Sequence, residues 1–272
     1  MLKFVLLSTL SVGGLGLLFG GLLAYAAKKL AVAVDERVHD VEKTLAGLNC
    51  GICGYAGCST YAKAIVEEKA AVNLCAPGGK NTVEKIKQVL NLTGDHSRES
   101  VVARVRCQGD NKTVNKLIDY KGIVSCSAVS QVGGDKACSY GCMGYGDCEN
   151  ACLFDAIHIQ ENGLPLVDEA KCTGCGLCVK ACPRNIIEMA PQSAYFFIRC
   201  VSKDFGPVVS RVCKKGCIGC NICAKVNNFE GIKMEDNLPV VDYASFKGDG
   251  TGAEKCPTKV IEFVESKFLA RK

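Results

Sequence analysis

Twenty of the 272 residues are Cys, against three His and no Trp. Most of them bunch in runs with two to five residues between neighbours, and Pro follows Cys182 and Cys256. Thiols this close are poor disulfide partners for one another but good co-ligands of one metal centre. That excludes a small secreted disulfide scaffold. The formal net charge of +5, with 22% charged residues, fits an ordinary soluble domain and gives no sign of a nucleic-acid surface.

Cys172-Thr-Gly-Cys175-Gly-Leu-Cys178-Val-Lys-Ala-Cys182-Pro183 has the C-x2-C-x2-C-x3-C-P spacing of bacterial ferredoxins that bind [4Fe–4S] clusters. Three close thiolates wrap one face of a cubane, and Gly lets backbone N–H groups approach the sulfurs. The fourth Cys is turned away and ligates the other cluster. Zinc also uses C-x2-C pairs, but a zinc knuckle ends after two Cys, whereas this run has four and then Pro. Upstream, Cys138, Cys142, Cys148 and Cys152 are spaced by three, five and three residues, with Tyr145 where the standard run has Cys. Cys138 is expected to supply the missing ligand. The crossed rule then puts one cluster on Cys138, Cys142, Cys148 and Cys182, and a second on Cys172, Cys175, Cys178 and Cys152.

The chain repeats itself after that. Cys138, Cys142 and Cys148 fall on Cys213, Cys217 and Cys223. Leu164 to Asp168 falls on Leu238 to Asp242, and Cys182 to Glu188 on Cys256 to Glu262. The second copy has lost one ligand set as a unit: Phe246, Asp249, Gly252 and Asn227 stand for Cys172, Cys175, Cys178 and Cys152. One cluster, on Cys217, Cys220, Cys223 and Cys256, is expected there, and Cys213 is spare. A further four, Cys50, Cys53, Cys58 and Cys75, suit a small helical domain wrapped on a cubane, with a zinc knuckle as the alternative. Cys107, Cys126, Cys200 and Cys213 read as small buried apolar side chains. A fifth centre shared among those four is the sharper alternative. His39, His96 and His158 pair with no metal set. Gly133-Gly134 is a turn, and neither GxGxxG nor GxxxxGK[ST] occurs, so no direct nucleotide site is expected.

These ligand runs need elements to carry them. Phe4 to Ala27 is uncharged, long enough for a helix to cross a bilayer core of about 30 Å, and too long for a signal peptide's apolar region. Gly16 and Gly20 form a GxxxG that would let another membrane helix approach. Leu30, Val34, Val38, Val41, Leu45 and Leu48 recur at helical spacing and are expected to continue that helix. Ser59 to Leu74 reads as helix. Asn81 with Glu84 reads as a capping box for a helix over Val83 to Leu90. Strands are expected at Ile157 to Gln160 and Leu164 to Val167, and short helices after Cys148 and Cys178. The organisation is a transmembrane anchor over 1–29, a helical 4Fe-4S domain over 30–92 and a connecting segment over 93–137. A two-cluster ferredoxin-like module over 138–190 and a degenerate single-cluster module over 191–272 follow. The fold class is α+β. Thiolate ligands require a reducing compartment, which places everything after Lys29 in the cytoplasm, on the inner face of a bacterial membrane.

The order of membrane helix, Cys50-Gly-Ile-Cys53-Gly-Tyr-Ala-Gly-Cys58, Cys138-Ser-Tyr-Gly-Cys142-Met-Gly-Tyr-Gly-Asp-Cys148 and ferredoxin runs resembles the B subunit of the Rnf complex, the ion-translocating ferredoxin:NAD oxidoreductase. A similar component serves the SoxR-reducing complex. The resemblance covers nearly the whole chain. It implies a component that receives electrons from soluble reduced ferredoxin and passes them to membrane and flavin subunits and finally NAD, coupled to export of Na⁺ or H⁺. The alternatives are a ferredoxin-like subunit of another membrane reductase, or an iron–sulfur sensor or scaffold. Four cubanes with four thiolates each carry roughly −2 apiece, so the formal +5 becomes about −3 in the loaded protein.

Overall fold

The computed structural model describes residues 2–29, 35–94 and 99–271. It opens with the 28-residue helix Leu2–Lys29, closed by Lys28 and Lys29. Phe4, Leu10, Leu17 and Leu23 on it are all exposed. Among the side chains that are described, no stretch of helix is long and apolar enough to cross a membrane, although the helical backbone is unbroken over its whole length.

The expected continuation of this helix is corrected. Leu30 and Val34 lie outside the described residues, and the next helix, Glu36–Thr44, starts anew at Asp35, whose extended backbone breaks any helix running into it. The Asp35 carboxylate accepts from the Arg37 N–H at 2.9 Å, an N-cap that ties off a free amide. Leu45 and Leu48 lie beyond the end of this helix. Glu36–Thr44, Cys58–Val66 and Gly79–Leu90 pack on one another through Val38, Val41, Tyr61, Ile65, Val83 and Ile86. The helix expected over Ser59 to Leu74 stops at Val66, where Glu68 takes a left-handed φ of 57°. The loop that follows is held by Tyr61, whose hydroxyl donates to the Ala71 carbonyl at 2.7 Å and accepts from the Leu74 N–H at 3.0 Å. The last helix starts ahead of the expected capping box, at Gly79, with Gly78 as N-cap and no side-chain cap.

The remainder mixes short helices with four two-stranded antiparallel ladders, and the sequence repeat is visible in their order. In the first copy Asp147–Asn150 precedes the hairpin Ile157–Ile159/Pro165–Val167, then Leu177–Ala181 and the strand Ile187–Pro191. In the second, Ile222–Val226, the hairpin Ile232–Glu235/Leu238–Val241, Thr251–Glu254 and Ile261–Phe263 follow the same order. The two helices expected to follow Cys148 and Cys178 contain those residues instead. Each copy is closed by an outer strand from upstream: Val101–Val105 pairs with Ile187–Pro191, and Phe196–Ile198 with Ile261–Phe263.

The two copies differ at their centres. Phe246, the counterpart of Cys172, is 2% exposed. Its ring centroid is 4.6 Å from that of Phe196 and 5.8 Å from that of Tyr195. Asn227, the counterpart of Cys152, donates to the Cys223 carbonyl at 2.8 Å. Where the first copy keeps four sulfurs, the second has an aromatic core. Phe246→Ala is therefore expected to lower the unfolding free energy by about 3–5 kcal/mol, read by denaturant unfolding of the full chain in detergent. A change below about 1 kcal/mol would show that the ring is not a core element.

Candidate functional site

All twenty Cys are free thiols, and most of them line cavities. Cys152, Cys172, Cys175 and Cys178 line one cavity, as the crossed spacing requires. Cys217, Cys220, Cys223 and Cys256 line a second of about 20 Å³. Cys220 is the exposed member of that set. In the helical domain Cys53, Cys58 and Cys75 pack against the same core, and Cys50 lies on the same loop as Cys53. Cys53 and Cys75 also share a cleft of about 690 Å³ with Cys172 and Cys175, between that domain and the first ferredoxin-like module.

Of the remaining expected set, the structure brings Cys142, Cys148 and Cys182 together in one cavity with Cys126, and it places Cys138 in the lining of a different one. The reason is local. Asp147, beside Cys148, accepts from the Cys126 N–H at 2.9 Å, the Ser127 N–H at 2.9 Å and the Ser125 hydroxyl at 3.1 Å. These bonds pin the start of the helix Cys126–Gln131 against the cavity. Burial pushes the Asp147 carboxyl up, but the hydrogen bonds from Ser127, Cys126 and Ser125 outweigh it and hold it below the usual range. Tyr145, where a Cys was missing, turns away to donate to Asp135 at 2.9 Å. Cys126 carries no spacing signal, since it lies 16 residues upstream of Cys142.

The loops that present these sulfurs depend on Gly. Gly144 and Gly219 sit at φ of 79° and 66°, in the left-handed region that Gly enters without strain. A β-carbon on Gly144 would lie 2.5 Å from the Gly163 carbonyl oxygen, and one on Gly219 would lie 2.9 Å from that of Asn237. The turn aims the Gly144 N–H at the Cys142 sulfur and the Gly219 N–H at the Cys217 sulfur. Cys172 and Cys152 receive N–H groups from Ala103 and Ala156, both at 3.4 Å.

Burial dominates the acid–base behaviour of these thiols. It pushes Cys148, Cys178 and Cys217 up to about 12 and Cys223 up to about 11, with neighbouring Cys adding to the rise in each case. Burial favours the neutral thiols, so thiolate ligands here need a compensating positive charge when a centre is bound. Where a quartet is complete, its four sulfurs line one cavity. Four thiols, apolar walls and backbone N–H donors fit an iron–sulfur cubane. Asp147→Ala should release Cys126 and lower the iron content by about four per chain, measured on anaerobically purified protein. Unchanged iron would show that Asp147 does not place this ligand.

Comparison with known proteins agrees with this chemistry. The Fe-S cluster family model matches residues 45–77 and the 4Fe-4S binding domain model residues 165–188. The chain is 38% identical over 262 residues to the B subunit of the Na⁺-translocating ferredoxin:NAD⁺ oxidoreductase complex of Acetobacterium woodii, covering 96% of this chain and 78% of that one. It is 39% identical to the B subunit of the ion-translocating oxidoreductase complex of Methanosarcina acetivorans, covering 95% and 98%. It is 42% identical to the B subunit of the proton-translocating ferredoxin:NAD⁺ oxidoreductase complex of Clostridium ljungdahlii, covering 93% and 90%. With that identity sustained from the helical Cys domain through both ferredoxin-like modules, the chain belongs to the family of B subunits of ion-translocating oxidoreductase complexes, the Rnf type.

Proposed function

We propose that this chain is the iron–sulfur electron-transfer subunit of a membrane-bound, ion-translocating ferredoxin:NAD⁺ oxidoreductase. The observation that carries the reading is the grouping of buried thiols into separate quartets inside one chain of the family. Four sets would hold [4Fe–4S] clusters: Cys50, Cys53, Cys58 and Cys75; Cys152, Cys172, Cys175 and Cys178; Cys126, Cys142, Cys148 and Cys182; and Cys217, Cys220, Cys223 and Cys256. When bound, such a cluster takes up and returns one electron at a time.

The chain's own residues prepare these sites. They exclude water with apolar walls, aim N–H groups at the sulfurs and set the local charge, all of which tune potential. The sets are neighbours in space. The cleft that Cys53 and Cys75 share with Cys172 and Cys175 joins the helical domain to the first module. Cys148 and Cys178, from two different sets, belong to one buried cluster of side chains. Cys220 is exposed, which supports its set as the one at which a soluble donor would meet the chain. In sequence the helical domain follows the helix Leu2–Lys29, which we assign as a single membrane anchor holding the rest on the cytoplasmic side. The small residues Gly16 and Gly20, four apart on that helix, would let a partner helix approach closely within the membrane. The relatives couple to Na⁺ in one case and to protons in another, so family membership leaves the ion open.

Three measurements test this reading. Anaerobically purified protein is expected to contain at least about 16 iron per chain with matching acid-labile sulfide. Stoichiometric zinc with almost no iron would overturn it. The full chain is expected to resist salt extraction from membranes, and a chain lacking residues 1–29 to be released by it. Release of the full chain by salt alone would refute the anchor. Loss of electron flux in single-ligand variants of an intact complex separates a relay from a scaffold.

A further inference from the structure

Cys107, Cys138, Cys200 and Cys213 remain outside the four sets, and the structure does not scatter them. All four line one cavity of about 20 Å³, the same size as those on Cys126, Cys142, Cys148 and Cys182 and on Cys217, Cys220, Cys223 and Cys256. A β-carbon on Gly109 would lie 3.6 Å from the sulfurs of both Cys107 and Cys213, so these two flank one point.

The site is built from matching parts of the two copies. Cys138 and Cys213 are repeat equivalents, each four residues before the first Cys of its run. Cys107 and Cys200 each follow an Arg just past the outer strand of their copy, Val101–Val105 and Phe196–Ile198. The two Arg are exchanged across the seam. Arg106 donates to the Cys200 carbonyl at 3.3 Å, and Arg199 to the Cys107 carbonyl at 3.4 Å. Each is fixed by the equivalent carboxylate of its own copy, Glu188 at 3.0 Å and Glu262 at 2.6 Å. One copy thus contributes Cys107 and Cys138, the other Cys200 and Cys213, in an approximately two-fold arrangement.

The surroundings are those of an anion. Arg106, Arg199 and Lys215 line the cavity. Lys136 does not line the cavity, but its ammonium nitrogen is buried with no hydrogen-bond partner among the described residues and lies close enough to act on the thiols of Cys107 and Cys142. An unpaired buried cation is costly, and a nearby anion removes that cost. All four sulfurs accept N–H groups from the backbone two residues on, at Gly109, Tyr140, Ser202 and Lys215, as Cys142 and Cys217 do from Gly144 and Gly219. Small apolar thiols filling a core need neither the cations nor the N–H donors.

We propose that Cys107, Cys138, Cys200 and Cys213 hold a fifth iron–sulfur cluster, of the [4Fe–4S] class, at the seam between the two ferredoxin-like modules. The inference rests on the iron–sulfur reading of the other four sets. It also supplies a bridge. The Cys107 sulfur accepts the Cys142 N–H at 3.4 Å, touching the first copy's set. Cys200 packs against the core that contains Cys217, Cys223 and Cys256.

Iron and sulfide analysis of the anaerobically purified full chain decides the question. About 20 iron per chain is expected. About 16 overturns the fifth site while leaving the other four, and near zero overturns the iron–sulfur reading itself. The double variant Cys107→Ala/Cys138→Ala is expected to keep about 16 iron, because both ligands belong to one cluster. About 12 iron would place Cys138 with Cys142, Cys148 and Cys182 and overturn the assignment. Cys200→Ala/Cys213→Ala, from the other copy, should also keep about 16; retention of all iron overturns the site even if the first variant fails to fold.

Discussion

Four sulfurs from distant segments must face one space inside the protein, and most of the structure follows from that demand. A loaded quartet brings roughly two negative charges into the interior. Burial alone drives these thiols toward their neutral form, as the rise of Cys148, Cys178 and Cys217 shows. The chain meets the demand with backbone N–H groups, left-handed Gly turns and fixed cations. Its short helices and two-stranded ladders are too small to bury much apolar surface by themselves. Cys side chains are members of the cores they form, so ligand geometry and fold stability are one problem in this chain.

What was legible in the sequence was what a loop can encode. Three Cys in C-x2-C-x2-C wrap one face of a site, so Cys172, Cys175 and Cys178 declare each other. The repeat then located Cys217, Cys220, Cys223 and Cys256. The loss of one set in the second copy was also readable, because four substitutions agreed. Phe246 shows the physical side of that loss: a ring packed on Phe196 occupies the region that sulfurs keep open in the first copy.

What was not legible depended on pairing across the chain. Val101–Val105 lies in the segment over 93–137, and nothing in its sequence names Ile187–Pro191 as its partner; that pairing closes the first module and places Cys107 just past the strand. Cys126 reaches its cavity because Asp147 collects the amides at the start of its helix. Neither relation has a fixed spacing. One signal was available: the repeat match of Cys138 with Cys213 left an extra Cys ahead of each run. Cys138 and Cys213, one from each copy, line the same cavity at the seam, and the proposed fifth site draws on both.

The seam also explains how a degenerate second module stays useful. With its inner set replaced by an aromatic core, the second copy's remaining set on Cys217, Cys220, Cys223 and Cys256 would stand apart from those of the first. Arg106 and Arg199 tie the outer strands together by reaching into each other's copy. Each keeps an ion pair to its own module, so the two modules cannot separate without breaking bonds that also position Cys107 and Cys200. The contact that joins the modules is thus the contact that shapes the site between them. In the arrangement proposed above, losing the inner set of the second copy removes a branch and leaves a line of sites from the helical domain through the first module and the seam to Cys220.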